Sequence, residues 1–319
     1  MQNKRLGRSD LMITTLGLGA WAIGGPWKYG WGNQDDRDSI RTIHRALERG
    51  MNWIDTAPAY GLGHSEEIVA RALDETSFRP LIFTKCGIVW NSKREPSFRI
   101  DRQSIEREVE DSLRRLKVDV IDLYQVHWPM PENDIEEAWS TMARLKEKGN
   151  VRYIGVSNFS VEQMERVRSI AEITSLQPPF SLVDRSAADK ILPYCLENGI
   201  GVINYSPMAS GLLTGKMTRD RIQNLPPDDW RRKSEEFKEP KLSRNLELVE
   251  LLRGLAADHR CTVAEIAIAW TLCNPAVTGA IVGLRNPDQV DGIIGAHEVR
   301  FSDSELKRIE QFLQKDEKS

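Results

Sequence analysis

The sequence predicts an α/β protein, a (β/α)8 TIM barrel with an N-terminal β-hairpin and extra C-terminal helices. Three observations predict it. Short apolar runs alternate with amphipathic helical segments through the chain, eight times in all. Several of those runs end in residues able to do chemistry, the pattern expected at the carboxyl rim of a parallel barrel. The length of 319 residues suits one barrel of about 250 residues plus insertions. No inter-domain linker or low-complexity stretch interrupts the alternation, so one domain over residues 1–319 is expected.

Lys4 to Thr15 alternates weakly around Gly7 and Asp10, as a small hairpin closing the barrel bottom would, and Leu16-Gly17-Leu18-Gly19 is the first barrel strand. A loop rich in Gly and Trp, Trp21 to Asn33, leads to a helix opened by Asp35 and Asp36 and closed by Gly50. Trp53 and Ile54 form the second strand, and His64 or Ser65 opens the helix carrying Ile68, Val69, Ala70 and Leu73. Leu81 to Lys85 is the third strand, followed by a helix from Arg102 to Leu116. Ile121 to His127 is the fourth strand, followed by a helix from Ile135 to Lys148. Val151 to Val156 is the fifth, with a turn at Ser157-Asn158 and a helix capped by Ser160. Ile173 to Gln177 is the sixth, and a helix over Asp189 to Glu197 precedes the seventh, Gly201 to Tyr205.

A long insertion, Ser206 to about Leu242, then reads as irregular, and segments of that length are usually functional lids or mobile. Helices over Leu246 to Ala257 and Val263 to Cys273 precede the eighth strand, Ala280 to Gly283. Helices near Gln289 to Ala296 and over Ser304 to Leu313 end the pattern.

Composition narrows the function classes. A formal charge of −3 offers no electrostatic reason to bind nucleic acid or an anionic membrane. No apolar run approaches the roughly 18 residues of a membrane span. Met1 to Arg8 is basic without a following apolar stretch, so no secretory signal and a cytoplasmic location are expected. The four cysteines, Cys86, Cys195, Cys261 and Cys273, form no CxxC pair and read as reduced thiols. Cys86 lies beside Lys85, a neighbour that lowers a thiol pKa, but with no histidine near it in sequence it is not expected to be catalytic. The five histidines show no metal-ligand spacing, so no metal is expected.

The chemistry gathers on three strand ends. Asp55 and Tyr60 follow the second strand, Lys85 ends the third and His127 the fourth. A phenol of reference pKa about 10 donates a proton more readily beside an ammonium, and a carboxylate holds that ammonium in place. Tyr60, Lys85 and Asp55 can therefore work together while His127 orients a carbonyl oxygen. Without an activated Ser or Cys, such a site suits a carbonyl polarised for hydride attack, and hydride requires a cofactor. Gly17-Leu18-Gly19-Ala20-Trp21 lacks the third glycine of a Rossmann fingerprint, which argues against a doubly wound domain but not against a nicotinamide bound across a barrel mouth.

Asp55-Thr56-Ala57 with Tyr60-Gly61, Thr84-Lys85, Val126-His127, Gly155 to Phe159, Gln177, Tyr205-Ser206-Pro207 and Gly211-Leu212-Leu213-Thr214-Gly215 recur in one order. In these motifs the chain resembles the aldo-keto reductases over nearly its whole length, in particular bacterial members related to the channel β-subunit-like and general-stress reductases. The resemblance implies Tyr60 as general acid/base, Lys85 and Asp55 tuning it, and His127 orienting substrate. It implies that Ser157, Asn158 and Gln177 hold the carboxamide, that Tyr205 stacks on the nicotinamide, and that Gly211 and Leu213 lie along the pyrophosphate. Gly19, Ala20, Trp21, Asp55, Ser206, Pro207, Gly283 and Gln289 are the further cofactor contacts expected.

Family members mostly prefer NADPH, and Arg285 after the eighth strand is placed for a 2′-phosphate, which a guanidinium pairs bidentately. Many relatives carry a Glu-Asn pair after the glutamine at Gln289. This chain has Val290-Asp291 instead, so NADPH (NADP+) is the expected cofactor with NADH also possible.

Among the nine tryptophans, Trp53, Trp139 and Trp270 read as packing. Trp27 and Trp31 fall in loops at the mouth, Trp230 in the insertion, and Trp21, Tyr60, Trp90, His127 and Trp128 form an expected substrate pocket. Arg231-Arg232-Lys233 reads as a solvated face. The expected activity is reversible, NADPH-dependent reduction of aldehydes or ketones by a monomer or weak homo-oligomer whose partner is a small carbonyl compound. The alternative is a cofactor-binding regulatory or redox-sensing subunit with little turnover, similar to channel β-subunits.

Overall fold

The computed structural model describes residues 1–28 and 30–314. Strands β1 (Asn3–Arg5) and β2 (Met12–Thr14) form an antiparallel hairpin, and β3 (Leu16–Gly19) opens the barrel. Helix α1 (Asp36–Glu48) starts where the Asp35 carboxylate accepts from the backbone N–H groups of Arg37 and Asp38. There follow β4 (Trp53–Asp55), α2 (His64–Asp74) and β5 (Leu81–Cys86). A small antiparallel hairpin, β6 (Ile88–Trp90) with β7 (Pro96–Phe98), comes next, and the sequence pattern did not show it. Helix α3 (Arg102–Leu116), β8 (Ile121–Val126), α4 (Ile135–Glu147), β9 (Val151–Ser157) and α5 (Val161–Arg168) continue the alternation. The start of α5 is fixed by a reciprocal capping box between Ser160 and Gln163, worth about 1 kcal/mol.

The chain closes through β10 (Ser175–Gln177), α6 (Ile191–Asn198), β11 (Gly201–Asn204), α7 (Arg219–Gln223), α8 (Lys241–His259), α9 (Val263–Leu272), β12 (Val277–Gly283), α10 (Pro287–Asp291) and α11 (Asp303–Gln314). Eight parallel strands form a closed barrel in which β12 pairs with β3, the expected (β/α)8 architecture.

Besides that hairpin and shifts of a few residues at element ends, such as β12 starting at Val277 rather than Ala280, three segments differ from the sequence expectation. The insertion is not irregular: short 3-10 turns and α7 gather Leu212, Met217, Ile222, Leu225, Phe237 and Leu242 into a small core of their own. Helix α8 begins at Lys241 rather than Leu246, because Leu242 is already buried in that core. The helix expected over Gln289 to Ala296 is two pieces, α10 and a 3-10 turn at Ile294–His297, with Gly292 between them; α10 starts early because Asn286 caps it and Pro287 supplies its first turn.

The alternation of each strand decides what faces inward. Trp53, Phe83, Leu123, Ile203 and Ile281 fill the barrel axis, while Leu6, Leu11 and Ile13 of the hairpin plug its lower end. Gly17 makes room for the Trp53 indole, since a Cβ there would sit 2.1 Å from the ring. Two residues further along these strands come Asp55, Lys85, Gln125, Tyr205 and Gly283, joined by Ser157 and Gln177 at the ends of β9 and β10. The core thus ends in a polar floor.

Candidate active site

That floor carries a buried ion pair. Lys85 Nζ donates to Asp55 Oδ1 at 2.6 Å, to the Thr56 carbonyl at 2.9 Å and to Tyr60 Oη at 3.2 Å. Its side chain is fully buried and that of Asp55 is 3% exposed. All three ammonium protons have acceptors, the condition under which a charge is tolerated inside a protein. Asp55 Oδ2 accepts from Gln177 Nε2 at 2.8 Å, with the Gln125 amide alongside. Burial works against the ammonium, but the Asp55 charge and the contacts with Asp55 and Tyr60 outweigh it, so Lys85 stays charged above its ordinary pKa.

The loop bearing Tyr60 is fixed by neighbours on both sides. Thr56 Oγ1 bonds Ser65 Oγ at 2.9 Å, and Ser65 Oγ donates to the Ala20 carbonyl. Gly61, at φ +68°, lies so close to the turn at Ala22–Gly24 that a Cβ would approach Gly24 O to 1.8 Å. Burial pushes the Tyr60 phenol up, and the pull of Lys85 does not fully offset it; the net shift is above the ordinary tyrosine value. This corrects the expectation of a lowered pKa: the ammonium is neutralised by Asp55, which itself raises the phenol. Tyr60 is a neutral phenol at neutral pH.

The His127 ring meets Tyr60 edge-on at 5.9 Å. Burial and the Lys85 charge hold its pKa well below the usual histidine value, so the imidazole is neutral. Its backbone N–H donates to the Cys86 carbonyl and its own carbonyl accepts from Asn158 Nδ2. Cys86 itself is inert: burial pushes its thiol well above the ordinary value, against any reactive thiolate.

Above the floor opens a cavity of about 690 Å³, lined among others by Gly19, Trp21, Asp55, Tyr60, His127, Trp128, Ser157, Asn158, Gln177, Tyr205, Ser206, Pro207, Gly211, Gly283, Arg285 and Gln289. Ser157 Oγ donates to the Gln177 carbonyl and Tyr205 Oη to Asn158 Oδ1 at 2.9 Å. Four expected site residues stand off its walls. Lys85 lies beneath it and touches it through Tyr60. Ala20 is fully buried, its N–H on the Asp55 carbonyl. Leu213 turns into the apolar core with Leu248 and Leu252. Trp90, at the far end of β6, packs edge-on against Trp27, centroids 6.1 Å apart, while Ile88 and Phe98 at the base of the hairpin line the cavity.

The sequence reading also missed a clasp across the mouth. Trp230, from the insertion, lies 6.0 Å from Trp21 and 5.8 Å from Trp31, and the Arg231 guanidinium stacks on Trp31 at 4.7 Å. Arg231 therefore belongs to the cavity wall rather than to a solvated face, and with burial it depresses the pKa of Arg285. Arg285 donates from Nε to Gln34 Oε1 at 2.8 Å and from Nη2 to the Asn33 carbonyl.

A model of the Aldo/keto reductase family matches residues 15–314. The chain belongs to that family. It is 40% identical over 297 residues to aldo-keto reductase YhdN of Bacillus subtilis, covering 92% of this chain and 88% of that protein. It is 34% identical over 320 residues to the NADH-specific methylglyoxal reductase of Escherichia coli, covering 96% of each. The structure of glycerol dehydrogenase AKR11B4 from Gluconobacter oxydans superposes with a TM-score of 0.91 at 39% identity, covering 98% of this chain and 95% of that one. As an aldo-keto reductase the chain is an oxidoreductase of carbonyl and alcohol groups that uses a nicotinamide cofactor. Among the described residues no helix is long and apolar enough to cross a membrane, and no cluster of His, Cys, Asp and Glu is arranged to hold a metal.

Proposed function

We propose that this protein reduces small aldehydes or ketones, with NADPH preferred over NADH and Tyr60 as the proton donor. One observation carries the reading: Lys85 touches both Asp55 and Tyr60 Oη at the base of a cavity that His127 also lines. An ammonium can only donate, so Lys85 occupies a lone pair of Tyr60 Oη and the phenol's own proton turns away from it, toward the cavity. The neutral imidazole of His127 keeps one N–H able to donate to the same carbonyl oxygen. Together they bind the oxygen on which negative charge develops, and Tyr60 delivers the proton. When the oxygen is protonated, the Lys85 ammonium, held in place by Asp55, stabilises the phenolate left behind.

The cavity fits a dinucleotide. Ser206 and Ser210 take positive φ, a backbone form found in anion-binding turns, and Lys216, Arg221, Arg231 and Arg285 line the same cavity. Bound there, the nicotinamide supplies the hydride. Ser157, Asn158 and Gln177 would hold its carboxamide, Tyr205 its ring, and Arg285 with Arg231 the 2′-phosphate, the arginines favouring NADPH although the Escherichia coli relative is named NADH-specific. Trp21, Trp128, Ile88 and Phe98 wall the remaining space and favour an apolar, uncharged substrate. A panel of aldehydes and ketones mixed with protein and NADPH, followed by loss of the reduced nicotinamide absorbance, tests the reading. Turnover is expected; cofactor binding without turnover across the panel would replace it with the regulatory, cofactor-binding subunit.

A further inference from the structure

Helix α3 runs outside the barrel, and its inward side carries Ile105, Val109 and Leu116 together with a carboxylate, Glu108, only 6% exposed. A buried carboxylate is costly, and an apolar residue of similar volume would pack there more favourably. Its two bonds show what it holds. Glu108 Oε2 accepts from the Gly87 backbone N–H at 3.0 Å, and Oε1 accepts from Ser104 Oγ at 3.1 Å. Gly87 takes φ +97°, a backbone form that leaves its N–H outside the barrel ladder and in need of a separate acceptor.

The peptide held this way is not incidental to the cavity. On its other side, the Cys86 carbonyl accepts from the His127 backbone N–H at 3.0 Å, and the Gly87 carbonyl accepts from Arg99 N at 3.1 Å. The first bond sets the height of His127 beside Tyr60. The second closes the base of the β6–β7 hairpin, whose Ile88 and Phe98 line the cavity. Glu108 thus touches neither the cavity nor the ion pair, yet is bonded to the junction from which both a reacting-end residue and a wall depart.

Resting on the reductase reading, we infer that Glu108 is a positioning residue for the reaction: from outside the barrel it fixes the Cys86–Gly87 peptide, and through it His127 and the substrate-facing hairpin. The charged groups acting on it are Arg107 and Arg115 on its own helix; its own charge in turn bears on Cys86 of β5 and Tyr124 of β8, and Glu66 of α2 also acts on Tyr124. Burial brings the carboxyl up to about 7, so its charge changes near neutrality.

The test compares the full-length wild type with Glu108→Leu, which removes the acceptor, and Glu108→Gln, which keeps an oxygen and removes the charge. Without cofactor, amide hydrogen exchange over residues 87–99 is expected to quicken roughly ten-fold or more in the Leu variant and to stay near wild type in the Gln variant. NADPH affinity, read by intrinsic fluorescence, should stay within about two-fold in both, since the expected cofactor contacts lie on other loops. For a reduced aldehyde, kcat/KM should fall roughly ten- to hundred-fold in the Leu variant, mainly through KM, and recover to within about three-fold in the Gln variant. Because glutamine stands for the protonated carboxyl, any inflection Glu108 gives kcat/KM near pH 7 should be no larger than about three-fold, and absent from the Gln variant. A folded Leu variant with wild-type exchange or wild-type kcat/KM overturns the inference, as does a parallel loss of cofactor affinity and turnover. If the Leu variant fails to fold, Glu108→Met, which keeps the side-chain length and removes the acceptor, takes its place, and wild-type exchange over residues 87–99 in that variant overturns the inference. A wild type that reduces no carbonyl removes the reductase reading itself, while hairpin exchange still reports separately whether Glu108 anchors the wall.

Discussion

Replacing Asp55 by Asn should destabilise the protein far more than loss of one hydrogen bond. Lys85 is fully buried, and its charge is balanced by a carboxylate that accepts on both oxygens, from Lys85 Nζ at 2.6 Å and from Gln177 Nε2 at 2.8 Å. An asparagine offers one oxygen and one NH2, so it must turn a donor toward either the ammonium or the glutamine amide. Breaking one side of a buried pair in this way costs about 3–5 kcal/mol, against about 1 kcal/mol or less for a solvated pair. Urea unfolding at pH 7 measures it. Without Asp55 the burial that opposes the Lys85 charge is uncompensated, and the folded-state pKa drops below the unfolded value. The folded variant then binds fewer protons than the unfolded chain, so its deficit should narrow as pH rises from about 7 toward the ordinary lysine pKa of about 10.4. Adding Lys85→Met should restore most of the loss, because no charge is then left alone. A loss below about 1 kcal/mol, or a double variant as unstable as the sum of the singles, would refute the account of a buried, fully satisfied pair.

Gly61→Ala places a Cβ against Gly24 O at a positive-φ position, and should cost more than about 2 kcal/mol and reduce turnover by displacing Tyr60; wild-type melting and turnover would contradict it. Arg285→Ala should weaken NADPH roughly ten- to hundred-fold by titration calorimetry while leaving NADH nearly unchanged, and parallel weakening would place the 2′-phosphate elsewhere. The Glu108 carboxyl, raised from 4.5 to about 7, binds its proton more tightly folded than unfolded. The stability it gives is therefore full below about 4.5 and lost as pH rises through about 7, on the order of 3 kcal/mol. Urea unfolding of Glu108→Gln against wild type should show the variant gaining by that amount between low and mildly alkaline pH, and a constant difference would contradict it.

The barrel was legible because local signals agreed: Asp35 and Ser160 cap the helices they were read to open, and α3 spans the Arg102 to Leu116 read from its apolar spacing. The convergence of Asp55, Tyr60, Lys85 and His127 was equally legible, since strand ends of a parallel barrel share one rim. Period-two alternation would also have revealed Gln125, a polar residue on the inward face of β8 two positions before His127. What the sequence hid depends on long-range packing. The β6–β7 hairpin is too short to show a period, and its far end sets Trp90 on Trp27 rather than on the cavity wall. The contact of Trp230 and Arg231 with Trp21 and Trp31 joins segments some two hundred residues apart, which no local pattern encodes. The direction of the Tyr60 shift depends on how deeply the phenol is enclosed, a quantity set by the finished fold.

Tyr60→Phe tests the central claim most directly, because it removes the proton of Oη and keeps the ring that packs beside His127. Turnover of the best aldehyde should fall about 10²- to 10⁴-fold, the range supplied by a positioned general acid, while NADPH affinity stays within about three-fold. Undiminished turnover in that variant would show that the proton comes from another group and that the Lys85–Tyr60 contact is structural.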